Sequence, residues 1–209
     1  MDARADDILN MYTYISLASG GWGAGTFMPI REEQQFAGEL RNLEAQALAG
    51  VYDRYSVAVY KYVRYRLGDD RMAEDVASEV FLSLLESLQR GSGPRTNVKG
   101  WLLATAGHIV TDHLRRAYRR PTESLDDEHP DAGRSLDDEF DRRQRSRDFQ
   151  RAYQQLTHEQ QHVVALRFGE GLSLEETAAI TGKNVNAVKA LQFRALQAIQ
   201  RNIGESPHE

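Results

Sequence analysis

The chain has 209 residues, 41% of them apolar and 27% charged, with no cysteine and a formal net charge of −5. A disulfide, a thiolate metal site and a cysteine nucleophile are thereby excluded, and no apolar run approaches the roughly 20 residues that a membrane helix needs. The acidic balance argues against a protein that coats nucleic acid by bulk attraction, but leaves room for a DNA binder whose cations gather on one face. The absence of cysteine fits a reducing cytoplasm, and a cytoplasmic location is expected.

Residues 1–35 are expected to be an extension outside the folded domains. Ser19-Gly20-Gly21-Trp22-Gly23-Ala24-Gly25 is too glycine-rich for a helix interior. The start, with Asp2, Arg4, Asp6 and Asp7, lacks the basic end and unbroken apolar core of a signal peptide. A disordered tail, a mis-annotated start with translation from Met28, and a regulator-binding arm all remain open, the last being the least favoured. From Phe36 to Leu67 the apolar residues Phe36, Leu40, Leu43, Ala47, Val51, Tyr55, Val59, Tyr62 and Val63 recur at helical spacing, which one or two helices would explain. Gly68-Asp69-Asp70 ends that pattern and caps the next, which runs through Met72, Val76, Val80, Phe81, Leu84, Leu85 and Leu88 to Gly91. Ser92-Gly93-Pro94 forces a loop, and a third pattern runs Val98, Trp101, Leu102, Ala106, Ile109, Val110, His113 and Leu114 until Pro121.

Residues 121–146 change in kind. Glu123, Asp126, Asp127, Glu128, Asp131, Asp137, Asp138, Glu139 and Asp141, with few apolar residues between them, have the composition of a solvated tether. Four further helices follow. Phe149, Ala152, Tyr153 and Leu156 line the first. Thr157-x-x-Gln160 is a capping box for the second, which holds Val163, Val164, Leu166 and Phe168. Ser173-x-x-Glu176 opens a short third helix through Ala178 and Ile180, ended by Gly182. Asn184 caps the last, with Val188, Leu191, Ala195 and Ile199 on one side. No segment sustains a period of two. The reading is an all-α chain of two small helical domains, 36–120 and 147–204, joined by the acidic flexible linker 121–146 and followed by a tail, 205–209.

A short helix, a tight turn at Gly182-Lys183-Asn184 and a longer helix make a helix-turn-helix, whose second helix enters the major groove of DNA. Asn186, Lys189, Phe193, Arg194 and Gln197 lie mostly away from the apolar side. Asn and Gln can read adenine edges, while Lys and Arg read guanine or hold phosphate. The plainer reading is a helical hairpin with a solvated polar face. Arg115, Arg116, Arg119 and Arg120 gather at the end of the third helix and can neutralise phosphates, and Trp101 and His108 on the same helix could meet unpaired bases. Against that, tryptophan is usually core and a basic helix end often only complements the helix dipole. Asp75, Ser78 and Glu79 form either a solvated face or a docking face. His158 and His162 have the spacing of a zinc pair, but no third ligand or HExxH pattern accompanies them. No phosphate loop, nucleophile elbow or paired catalytic carboxylate points to an enzyme or to a cofactor.

With these residues in view, the chain resembles the extracytoplasmic-function group of the sigma-70 family of RNA polymerase sigma factors. Arg71–Leu82 is similar to the family's polymerase-docking helix, Trp101–Arg116 to the helix that melts and reads the −10 promoter element, and Leu156–Arg201 to the domain that reads the −35 element. The resemblance implies that Asp75, Val76, Glu79 and Phe81 contact the clamp helices of the polymerase largest subunit. It also implies that Trp101 and His108 lie by the opened −10 strand, with Arg115, Arg116, Arg119 and Arg120 beyond them, and that the loop from Gly91 to Val98 captures a flipped base. Asn186, Lys189, Phe193, Arg194 and Gln197 would meet the −35 duplex, and the acidic linker would thread through the polymerase. Core RNA polymerase and promoter DNA are the implied partners, and an anti-sigma factor fits the same pattern. The alternatives are a stand-alone helix-turn-helix regulator and a helical protein-interaction module. Three residues depart from the family pattern: His108 for asparagine, Ser78 for glutamine, and Gln192 for an aliphatic core residue whose packing Leu191 would take over.

Overall fold

The computed structural model describes residues 30–119 and 147–204. The extension before Ile30, Arg120, the acidic linker and the tail 205–209 lie outside the described residues. Among the described residues every regular element is a helix, and none is long and apolar enough to cross a membrane. Contacts cluster into two units, residues 30–119 together with Ala178–Lys183, and residues 147–177 together with residues 184–204.

The N-terminal unit holds α1 (Ile30–Arg41), α2 (Ala45–Leu67), α3 (Asp70–Gln89) and α4 (Val98–Arg119). The apolar pattern from Phe36 to Leu67 thus divides into two helices. The break falls at Leu43, which takes a left-handed φ of 57°, a conformation uncommon for a non-glycine residue. Gly68 supplies the same hand at the end of α2 with φ 76°, its N–H donating to the Arg64 carbonyl at 2.7 Å. Asp69 caps α3 by accepting from Met72 N–H at 2.6 Å. Asp70 fastens this corner, accepting from the Tyr60 hydroxyl at 3.1 Å and pairing with the Arg64 guanidinium. Burial and the Asp70 carboxylate raise the Tyr60 pKa above its ordinary 10.0.

Helices α2, α3 and α4 pack on one another, and α1 lies against α2 and α3. Their core is Leu40, Val51, Tyr55, Val59, Tyr62, Val80, Leu84, Leu102, Leu103 and Val110. Met72 and Leu85 of the second apolar pattern remain exposed and Phe81 is only half-buried, because a helix packed on one side buries only a stripe of its surface.

The C-terminal unit begins with α5 (residues 147–154), which buries Phe149, Ala152 and Tyr153, the two rings stacked at 6.1 Å. The expected capping box opens α6 (His158–Val164): Gln160 N–H donates to Thr157 Oγ1 at 3.3 Å, and Thr157 N–H donates to Gln160 Oε1 at 3.0 Å. Tyr153 and Gln161 then lock α5 to α6. The Tyr153 hydroxyl donates to the Gln161 carbonyl at 2.9 Å, and the Gln161 amide donates to the Tyr153 carbonyl at 3.1 Å. The sequence pattern treats 158–168 as one helix, but Ala165–Gly169 is a π turn, closed by Glu170 N–H on the Ala165 carbonyl at 3.0 Å. Such bulges cluster at functional sites. After Gly171 (φ 68°) the second capping box forms at Ser173 and Glu176 and opens α7 (Leu174–Thr181). Gly182 turns the chain with φ 65°. Asn184 Oδ1 then accepts from Ala187 N–H at 2.8 Å to start α8 (Val185–Gly204), and α6 packs along α8.

Candidate nucleic-acid interface

Helix α8 is sorted cleanly by its surroundings. Val188, Leu191, Ala195, Leu196 and Ile199 are buried, while Asn186, Lys189, Ala190, Phe193, Arg194 and Gln197 are exposed. The exposed positions recur at helical spacing, so they form one outward row. Phe193 leaves 47% of its surface in water. An aromatic ring half in water between Lys189 and Arg194 leaves apolar surface free for contact with a thymine methyl. Arg194 Nε donates to the Ala190 carbonyl at 3.2 Å, which holds its side chain along the row. Leu191 is buried and Gln192 half-buried. The Gln192 oxygen accepts from Arg167 Nε at 3.0 Å.

On α4, Trp101 is half-buried and His108, Arg115 and Arg116 are exposed. Residues 101, 105, 108, 112 and 115 share one helical face, opposite buried Leu102, Leu103, Ala106 and Val110. Arg115 Nη1 lies 3.6 Å from Asp112 with both side chains exposed, a contact worth little that leaves the guanidinium available. Arg119 closes the helix and Arg120 lies outside the described residues. The preceding loop is shaped by its backbone: Gly91 takes φ 70°, Pro94 is buried, and Asn97 takes φ 46° while its Oδ1 accepts from Gly100 N–H at 2.7 Å. Arg95 and Thr96 stay exposed at its tip.

Helix α3 presents a second surface. Asp75, Ser78 and Glu79 are exposed, and the His113 Nε2 of α4 meets Glu79 Oε2 at 3.2 Å. Phe81 is half-buried with its ring 5.0 Å from that of Tyr52. Val76 does not belong to this surface. It is 0% exposed, because it sits in the stripe with Ala73 and Val80 that packs inward, so its side chain cannot meet a partner. Leu82, 60% exposed, and Leu85 extend the acidic row instead. The apolar spacing hides Leu82: it falls one position after Phe81, outside the inward stripe, and an apolar residue there reads as noise until neighbours are known. His158 is exposed and His162 half-buried, and no group of three potential ligands gathers among the described residues.

The family model described as Sigma-70 region 2 matches residues 51–120, and that described as Sigma-70, region 4 matches residues 152–201. Among known proteins, the chain is 37% identical over 161 residues to the ECF RNA polymerase sigma factor BldN of Streptomyces coelicolor. That match covers 76% of this chain and 61% of that protein, so the chain spans less than two thirds of BldN. It is 30% identical over 159 residues to the ECF RNA polymerase sigma factor SigX of Bacillus subtilis, covering 73% of this chain and 81% of the relative. Among solved structures, CnrH in complex with the cytosolic domain of CnrY superposes with a TM-score of 0.60 over 84% of this chain and 99% of that one. At 17% identity, that likeness is one of fold.

Proposed function

Because the chain belongs to the extracytoplasmic-function group of the sigma-70 family, we propose that it binds core RNA polymerase and directs promoter-specific transcription initiation through −10 and −35 elements. The observation that carries this reading is the outward row of α8, where Phe193 stands exposed between Lys189 and Arg194 on the helix that follows the turn. In this reading residues 36–120 dock on polymerase and handle the −10 element, 147–204 read the −35 element, and the acidic linker 121–146 tethers the two. Asp75, Glu79 and Phe81, with Leu82 and Leu85 beside them, meet the polymerase. Trp101 and His108 meet the opened strand, and Arg115, Arg116, Arg119 and Arg120 hold its phosphates. Asn186, Lys189, Phe193, Arg194 and Gln197 meet the −35 duplex. The chain performs no covalent chemistry in this scheme and works in the cytoplasm where polymerase is; an anti-sigma factor is a further partner compatible with this reading.

Run-off transcription tests the proposal. The purified chain is mixed with sigma-free core polymerase and promoter fragments from its own genome. Transcripts that require the chain, with start sites sharing two upstream elements, are the expected result. Neither transcripts nor a stable complex with core polymerase would overturn it.

A further inference from the structure

Position 192 lies on the inner side of α8, in register with buried Val188, Ala195, Leu196 and Ile199. Glutamine is an expensive choice there, since a half-buried amide oxygen must find a donor. Its donor is Arg167, whose Nε reaches Gln192 Oε1 at 3.0 Å. Arg167 sits in the π turn Ala165–Gly169, where the wider ring admits one extra residue and shifts the register of everything around it. The same guanidinium donates through Nη1 to the Leu172 carbonyl, immediately before the Ser173 cap of α7. One planar cation therefore grips the entrance to α7 and the middle of α8, the two helices whose mutual pose defines a helix-turn-helix. Gln192 is flanked by outward Lys189 and Phe193, so a rotation of α8 about its axis moves the residues that would face DNA.

We propose that Arg167 and Gln192 are a positioning pair that fixes the rotation of α8 against α7, and thereby sets which bases of the −35 element Lys189, Phe193 and Arg194 reach. This rests on the −35 reading given above. Neither residue need touch DNA. A guanidinium–amide link is directional, whereas an aliphatic side chain at 192 would pack as well in several slightly rotated poses.

The test uses the full chain bound to core polymerase. The readout is the ratio of run-off product from a template with the intact −35 element to that from one with the element scrambled. Gln192→Leu extends the apolar row and is expected to leave the melting temperature and polymerase binding unchanged. The discrimination ratio should nevertheless fall about tenfold, the size of one misread base pair, while Gln192→Glu, which keeps the acceptor, should hold it within about twofold. Arg167→Lys, which retains a charge but loses the fork, serves as a second variant if Gln192→Leu melts early; it too should lower the ratio. Lys189→Ala is the control. If it lowers the ratio and neither Gln192→Leu nor Arg167→Lys does, the positioning role is wrong. If Lys189→Ala also leaves the ratio unchanged, the −35 reading itself fails.

Discussion

At the scale of single residues, position in a helix says less than the side chain's surroundings. Asp75 and Val76 are neighbours in sequence and were expected to share a role, yet one is exposed and the other has no surface at all. Their different fates predict different variants. Asp75→Arg reverses charge on the proposed docking face and should weaken core-polymerase binding about tenfold, mostly in the association rate, with folding intact. Val76→Ala should instead lower stability by about 2–3 kcal/mol, as the loss of two buried methyl groups and the cavity they leave does, and leave polymerase affinity per folded molecule unchanged. Equal co-purification of polymerase with Asp75→Arg and wild type would remove that residue from the interface. On α8, Lys189→Ala and Arg194→Ala should abolish promoter-specific initiation while leaving the polymerase complex whole. If Lys189 holds a phosphate, its loss weakens binding alike on all sequences and reduces the salt slope by about one; if it reads a base, one position of the element loses its preference. A salt titration on matched and mismatched templates separates the two.

At the scale of elements, the helix boundaries are where local chemistry is most visible. The corner between α2 and α3 is built from Gly68 in a left-handed conformation, the Asp69 cap, and Asp70 held by Tyr60 and Arg64. Gly68→Ala forces an L side chain into that conformation and should cost about 1–2 kcal/mol. Asp69→Ala should cost about 1 kcal/mol through the lost cap. Urea titration followed by far-UV circular dichroism reads both, and an unchanged midpoint would show that the corner is held by packing alone. Tyr60 adds a pH dependence. Its pKa is raised in the fold, by burial and then by Asp70, so the folded chain binds that proton more tightly than the unfolded chain. Its stabilisation is complete below the ordinary tyrosine range and fades as pH climbs through the raised value. Tyr60→Phe should flatten this alkaline fall in stability; a fall as steep as that of the wild type would assign the effect to other groups.

At the scale of the whole molecule, the net charge of −5 and the cationic row of α8 answer different needs. A chain with excess negative charge gains little from bulk attraction to DNA, so specific contacts have to be made while another molecule supplies the rest of the affinity. The free chain is therefore expected to show no promoter preference in a gel shift at about 0.15 M salt, where exposed charges are screened beyond roughly 8 Å, and to acquire it when core polymerase is added. Promoter-specific binding by the chain alone would instead favour a stand-alone regulator.

How much of this was legible beforehand follows from the range of the forces involved. The all-helical class, the end of α3 at Gly91, both capping boxes, the Gly182 turn and the Asn184 cap were all readable, because helices and caps are made by residues three or four apart. The outward row of α8 was readable too, since its apolar partners are regularly spaced. What the sequence could not decide was non-local: that Val76 faces inward while Leu82 faces out, that Leu43 breaks the first pattern in two, that a π turn interrupts residues 158–169, and that Arg167 finds Gln192. Each depends on which helix lies against which, and burial and pairing across helices are properties of that packing rather than of any stretch of chain.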